Sequence, residues 1–295
     1  MIVATRLDLP RLVKHVGPGL AVLLVYDLIL TILYVFLHIR WLAIPNLPLA
    51  LFGTGVGLMV TLRNNAAYAR WWEARTLWGA VVNQSRSFAR SLMATLDDAS
   101  ERATLVRHQL AYVHALRLHL LRRPVIEKVA SLLPEETLAR LKCAVNIPTA
   151  LQMEMGGRLR DASDRGLIDS IRLKMLNAPL SELANAQGGL ERIRNTPLPR
   201  HYSQLPQLFT IVYCLLLPLG LLPDLELYTP VGSTVIGFMF LALDRTGRYL
   251  EEPLAGTVHD VPMLAITTTI EIDLLQSIGE TGIPAPVQSR RGVLP

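Results

Sequence analysis

Apolar and polar positions alternate at two different rhythms along this chain. Four stretches are almost continuously apolar, and between the second and third lies a long tract with Leu, Val and Ala recurring at helical spacing among Arg, Gln and His. The first stretch, residues 18–37, reads PGLAVLLVYDLILTILYVFL and is interrupted only by Asp27. At about 1.5 Å per residue it is long enough to cross a hydrocarbon core of about 30 Å. Its length, with no small-residue cleavage pattern behind it, argues against a signal peptide. The second stretch, 47–62 (LPLALFGTGVGLMVTL), carries Gly53, Gly55 and Gly57 at alternate positions. Each glycine costs a helix about 1 kcal/mol relative to alanine, so close helix approach is the expected compensation. Residues 205–222 and 230–243 form the third and fourth candidate spans.

From 63 to about 203 nothing is apolar enough to span, and segments such as 81–96 and 103–121 have amphipathic helical spacing. Breaks are expected near Pro124, Pro134, Pro148 with Thr149, Ala178 with Pro179, and Pro197 through Pro199. The pattern therefore predicts an all-α membrane protein: four transmembrane helices plus a cytoplasmic helical domain. The expected division is 1–17 cytoplasmic, 18–62 spans one and two, 63–203 the cytoplasmic domain, 204–243 spans three and four, and 244–295 a cytoplasmic C-terminal segment.

Composition supports this division, because 51% hydrophobic and 18% charged residues are too apolar for a soluble domain and too polar for a pure membrane bundle. The net charge of +5 could suit nucleic acid, but the basic residues flank the spans. Arg6, Arg11 and Lys14, then 63–75, then Arg245 and Arg248 all fall on one side, whereas the 223–229 connection holds Asp224 and Glu226 alone. Positive residues stay inside, so both termini are expected in the cytoplasm, and nucleic acid is not an expected partner. Cys143 and Cys214 give no disulfide or zinc framework.

Candidate chemistry is sparse. His114 and His119 are five apart and do not share a helix face as metal ligands would. No nucleophile, metal set or phosphate loop is visible, so no catalytic residue, metal or cofactor is expected. Glu251, Glu252 and Asp260 form a loose acidic group, more simply read as helix-end charge than as a cation site. Arginines at 86, 90, 102, 107, 117, 122 and 123 predict a basic surface, paired with Asp97, Asp98 and Glu101 or concentrating anions. Tyr68, Trp71, Trp72 and Trp78 suggest interfacial anchoring and packing. Asp27 is costly mid-span and is either functional or partnered by hydroxyls or backbone. Thr54, Leu58 and Leu62 fall at i, i+4 and i+8, as a packing face or as the wall of a pore, where an apolar constriction gates by dewetting.

Arg63, Asn64, Asn65, Tyr68, Arg70, Trp71, Trp72, Glu73, Arg75, Trp78 and Gly79 resemble, in type and spacing, the bestrophin family and its bacterial members in particular. The runs 190–199 (LERIRNTPLP) and 249–253 (YLEEP) reinforce the resemblance. It implies a homopentamer of four-span subunits around one axial pore in a bacterial inner membrane, contacting lipid and passing monovalent ions. It also implies a neck at Thr54, Leu58 and Leu62, with Gly53, Gly55 and Gly57 packing it, and a cytoplasmic aperture near Ala178 or Met175. The acidic calcium clasp of eukaryotic members is reduced here to Asp260, so calcium gating is not expected. The implied function is an ion channel conducting monovalent anions, chloride first. The alternatives are a sodium-type cation channel of the same architecture and, from another class, a non-conducting membrane scaffold.

Overall fold

The computed structural model describes residues 1–2, 9–290 and 292–295, with the side chains of 9–15, 46 and 47 left aside. Arg6 and the side chains of Arg11 and Lys14 thus lie outside the described residues. Helices make up the fold, and among the described residues the only β pairing is two isolated bridges, Ile2 with Val293 and Arg290 with Val293. The chain divides into two compact units, one of residues 4–71 and 197–252, the other of 1–3, 72–196 and 253–295.

In the first unit α1 (Leu9–Val35), the leading part of α2 (Asn46–Thr95), α8 (Arg200–Leu225) and α9 (Thr229–Glu251) pack together. The segments Val16–Val35 and Arg200–Glu251, with mean hydropathy 2.1 and 2.0, are long and apolar enough to cross a membrane, and the second takes in both α8 and α9. The spacing of Leu49, Val56 and Val60 puts them on one face of α2, where they bury against Tyr213 and Leu217 of α8. Phe52, Phe209 and Phe240 close this core; Phe52 meets Phe209 and Tyr213 edge-on at 6.3 and 6.1 Å. Prolines at 206, 218 and 223 lie inside α8. Each removes a ladder hydrogen bond, and the one lost at Pro223 is replaced where the Ile44 N–H donates to the Leu219 carbonyl at 3.1 Å.

The second unit is organised on α3 (Ala99–Leu120), whose side chains from Leu105 to Leu116 are buried almost without break because α6 (Ile147–Asp164), α7 (Ser170–Asn195) and α10 (Met263–Ser277) surround it. Caps set the starts: Asp98 accepts from the Ser100 and Glu101 N–H groups, Asn146 from Thr149 and Asp169 from Arg172. The short helices α4 (Ile126–Val129) and α5 (Glu135–Lys142) fill the connection between α3 and α6.

One expected break does not occur. Helix α7 runs unbroken through Ala178 and Pro179. Proline leaves only the carbonyl four residues back, that of Met175, without its usual donor, and the bonds on either side carry the helix past it. The 50-residue α2 likewise runs from apolar to polar sequence without interruption.

Candidate functional site

Helix α2 has two apolar faces, and only one is covered by its own unit. Opposite the Leu49–Val56–Val60 face, Thr54, Leu58 and Leu62 stand exposed, with Leu58 at 61% and Leu62 at 52%. The Thr54 hydroxyl donates to the Ala50 carbonyl at 3.0 Å and that of Thr61 to Gly57 at 2.8 Å, so both polar groups are spent on their own helix. What remains is a stripe of aliphatic surface without a charge, closing on the polar sequence that begins at Arg63.

The three glycines behave differently. A Cβ on Gly53 would lie 2.6 Å from the Tyr213 hydroxyl oxygen, so glycine there admits the tyrosine ring of the same chain. Gly57 faces Phe240 at an ordinary 3.9 Å, and Gly55 has nothing within 4 Å. Of the three, Gly55 is the one whose face is open to a neighbouring molecule.

Immediately below the stripe the charges turn inward. Arg63 is fully buried; its Nη1 is 2.7 Å from Asp244 Oδ1, and its Nη2 donates to the Asp244 carbonyl at 2.6 Å and to Asn64 Oδ1 at 3.0 Å. Arg248 reaches the other Asp244 oxygen at 2.9 Å, and Glu251 lies 3.8 Å from Arg63 Nε while accepting from Ser203 at 2.7 Å. The Asn64 side-chain amide donates to the Leu243 carbonyl at 2.9 Å. Two cations and two anions balance, so α2 and α9 are joined by a network with no net charge. Gly247 is obligatory here, since a Cβ would fall 1.8 Å from Asn64 Oδ1 and 2.7 Å from Arg63 Nη2. The sequence pointed to Arg63 and Asn64; Asp244, Gly247 and Arg248 it did not, and the one available signal was an acid and a base four apart at the end of an apolar helix.

The other motif residues are spread over exposed and buried positions. Tyr68 stacks on Trp71 at 6.3 Å, Trp72 is 55% exposed, Asn65 is exposed, and Arg70 is half-buried. Glu73 pairs with Arg192 at 2.5 Å. Trp78 is fully buried, on the packing side of the expected anchoring-and-packing cluster. The expected pairing of arginines 86 to 123 with Glu101 is corrected: Glu101 takes Arg165 and Arg158, while Arg86 of α2 and Arg107 of α3 pair with Asp273 and Glu280, each at 2.7 Å. Asp260 is buried and closes its own turn, accepting from the Gly256 N–H at 2.5 Å and from the Thr257 hydroxyl. On α7, Met175 and Ala178 are both exposed, whereas Leu176, Pro179 and Leu180 are buried.

Histidines of α3 are held rather than poised for catalysis. His114 Nε2 lies 3.1 Å from Glu271 Oε2; hydrogen bonding from His114 holds that carboxyl below its usual range against the opposing effect of burial. Burial pushes the His108 pKa down, so the ring stays neutral, with Nδ1 2.7 Å from the Thr104 carbonyl.

Long apolar helices anchored by a neutral buried charge network define an integral membrane protein of the helical-bundle class. The chain belongs to the bestrophin family: the model of the bacterial and fungal bestrophin proteins matches residues 7–276. It is 35% identical over 238 residues to the voltage-dependent anion channel-forming protein YneE of Salmonella typhi, covering 81% of this chain and 78% of that one. A voltage-dependent anion channel-forming protein of Ralstonia nicotianae is 32% identical over 87% of this chain and 86% of its own length. The crystal structure of a bacterial bestrophin homologue from Klebsiella pneumoniae superposes with a TM-score of 0.85 at 28% identity, over 88% of this chain and 97% of that one.

Proposed function

We propose that this chain is the subunit of a homopentameric anion channel, with chloride among its permeant ions, in a bacterial inner membrane. Residues 18–62 and 204–243 supply four spans, 63–203 and 244–295 with 1–17 lie in the cytoplasm, and both termini are cytoplasmic. The observation that carries this reading is the uncovered apolar face of α2, with Thr54, Leu58 and Leu62 exposed while the opposite face packs on α8 and α9. Around a ring axis these residues form successive apolar collars, a neck that water leaves when narrow and fills when wide. Met175 and Ala178 on the exposed face of α7 serve as the cytoplasmic aperture. The names of the relatives favour anions, and the neck adds no charge of either sign.

The test pairs planar-bilayer recording under a salt gradient with native mass spectrometry of the purified protein. A pentamer is expected, with a reversal potential on the anion side. In Leu58→Ala with Leu62→Ala, conductance or open probability rises while the oligomer survives. If these leucines were packed between helices, each truncation would cost about 2 to 5 kcal/mol and damage assembly instead. A cation-side reversal potential would select the sodium-type channel; an intact ring without current would select the scaffold.

A further inference from the structure

Asp27 is fully buried in the middle of α1, and neither of its carboxylate oxygens completes a hydrogen bond within the protein. Among the described residues no cationic side chain pairs with it. Its surroundings follow from how α1 and α9 run against each other. A Cβ on Gly19 would lie 3.8 Å from Leu241, and one on Gly237 would lie 3.4 Å from Leu23, so four residues up α1 match four residues back along α9. One turn further the same register sets Asp27 against Ser233, whose hydroxyl is near the carboxylate without completing a hydrogen bond to it. A turn beyond that the same register sets Thr31 level with Thr229. Both threonines are buried, and neither hydroxyl has a partner.

Helix α8 closes the third side. Cys214 lies 3.9 Å from the Cβ position of Gly237, within electrostatic reach of Asp27, and is itself buried. Pro218 cannot donate to the Cys214 carbonyl, which is therefore released from the hydrogen-bond ladder of α8. The donors gathered here are a carboxylate, hydroxyls and a carbonyl: oxygen throughout, as hard cations require. Interrupted helices in membranes use freed carbonyls in this way. One carboxylate sets the charge of the occupant, since a monovalent ion leaves the site neutral, whereas a divalent ion would leave an uncompensated positive charge inside the bilayer.

We propose that Asp27, Thr31, Thr229 and Ser233, with the Cys214 carbonyl, form a site for a small monovalent cation of sodium size within the α1–α8–α9 packing of each subunit. The site is separate from the α2 face and does not rest on the channel reading. Its occupant stabilises the bundle by mass action.

Thermal unfolding of the detergent-purified full-length protein, in sodium chloride against N-methylglucamine chloride at constant ionic strength, tests it. The wild-type Tm is expected to rise saturably with sodium, and Asp27→Asn to lose that rise. Should Asp27→Asn fail to assemble, Thr31→Val and Ser233→Ala keep the carboxylate and should shift the sodium midpoint several-fold higher. An equal sodium response in Asp27→Asn, an unchanged midpoint in the hydroxyl variants, or a wild type that responds to pH and not to sodium would overturn the proposal. The last outcome would identify the occupant as a carboxyl proton.

Discussion

Single side chains set the tolerances of this fold most sharply where charges are buried. Gly247→Ala forces a methyl group into Asn64 and Arg63, and overpacking of this kind costs about 1 to 3 kcal/mol. A lowered Tm and a smaller folded fraction by size-exclusion chromatography are expected, whereas Gly188→Ala, with open space around it, should be harmless. His108 gives the pH dependence its sign. Burial lowers its folded-state pKa, so below the ordinary imidazole value of about 6.5 the unfolded chain binds the proton and the folded one does not. Stability should therefore fall as pH drops from about 6.5 toward the folded pKa, a slope visible in Tm against pH and flattened in His108→Gln. Arg63 was legible in sequence as a marked residue but not as a buried one, because its neutralising partner lies 181 positions away.

Helices show how far periodicity carries. The two apolar faces of α2 follow from its sequence, yet periodicity alone could not assign one to packing and one to exposure, since both are aliphatic. The Gly53–Tyr213 contact makes that assignment and supplies a paired test. Gly53→Ala collides with the ring and should lower Tm, with Tyr213→Leu restoring part of the loss. Gly55→Ala meets nothing in its own chain and gains about 1 kcal/mol of helix propensity, so it should leave the subunit fold intact while narrowing the spacing available to a neighbour. Pro179 marks the opposite lesson: proline reads as a break in sequence, but the loss of one ladder bond does not end a 26-residue helix held on both sides. Caps at Asp98, Asn146 and Asp169 were there to be read, and they place the starts of α3, α6 and α7.

At the scale of the whole molecule, the helical class and family membership were legible because apolar runs and the 63–79 motif are local signals. The pairings of Arg86 on α2 with Asp273 on α10, and of Arg107 on α3 with Glu280 beyond it, were not, since they join segments distant in sequence. The turn at Asp260 bears on regulation. With its carboxylate engaged by Gly256 and Thr257, too few free oxygens remain for calcium, which takes six to eight. Currents through the reconstituted protein should be the same in micromolar calcium and in chelator, and reversible closure by chelator would show a clasp at this turn.

The uncovered stripe on α2 also bears on mixed assemblies. If five copies share one passage, its width belongs to no single subunit but to the set that closes the ring. With wild-type and altered subunits co-expressed in equal amounts, only about one ring in thirty-two is free of the altered one. A substitution at Leu58 or Leu62 would then change nearly every channel in the co-expressing cell, while one at Gly247, which weakens the subunit fold, would mainly lower the share of altered subunits that enter rings.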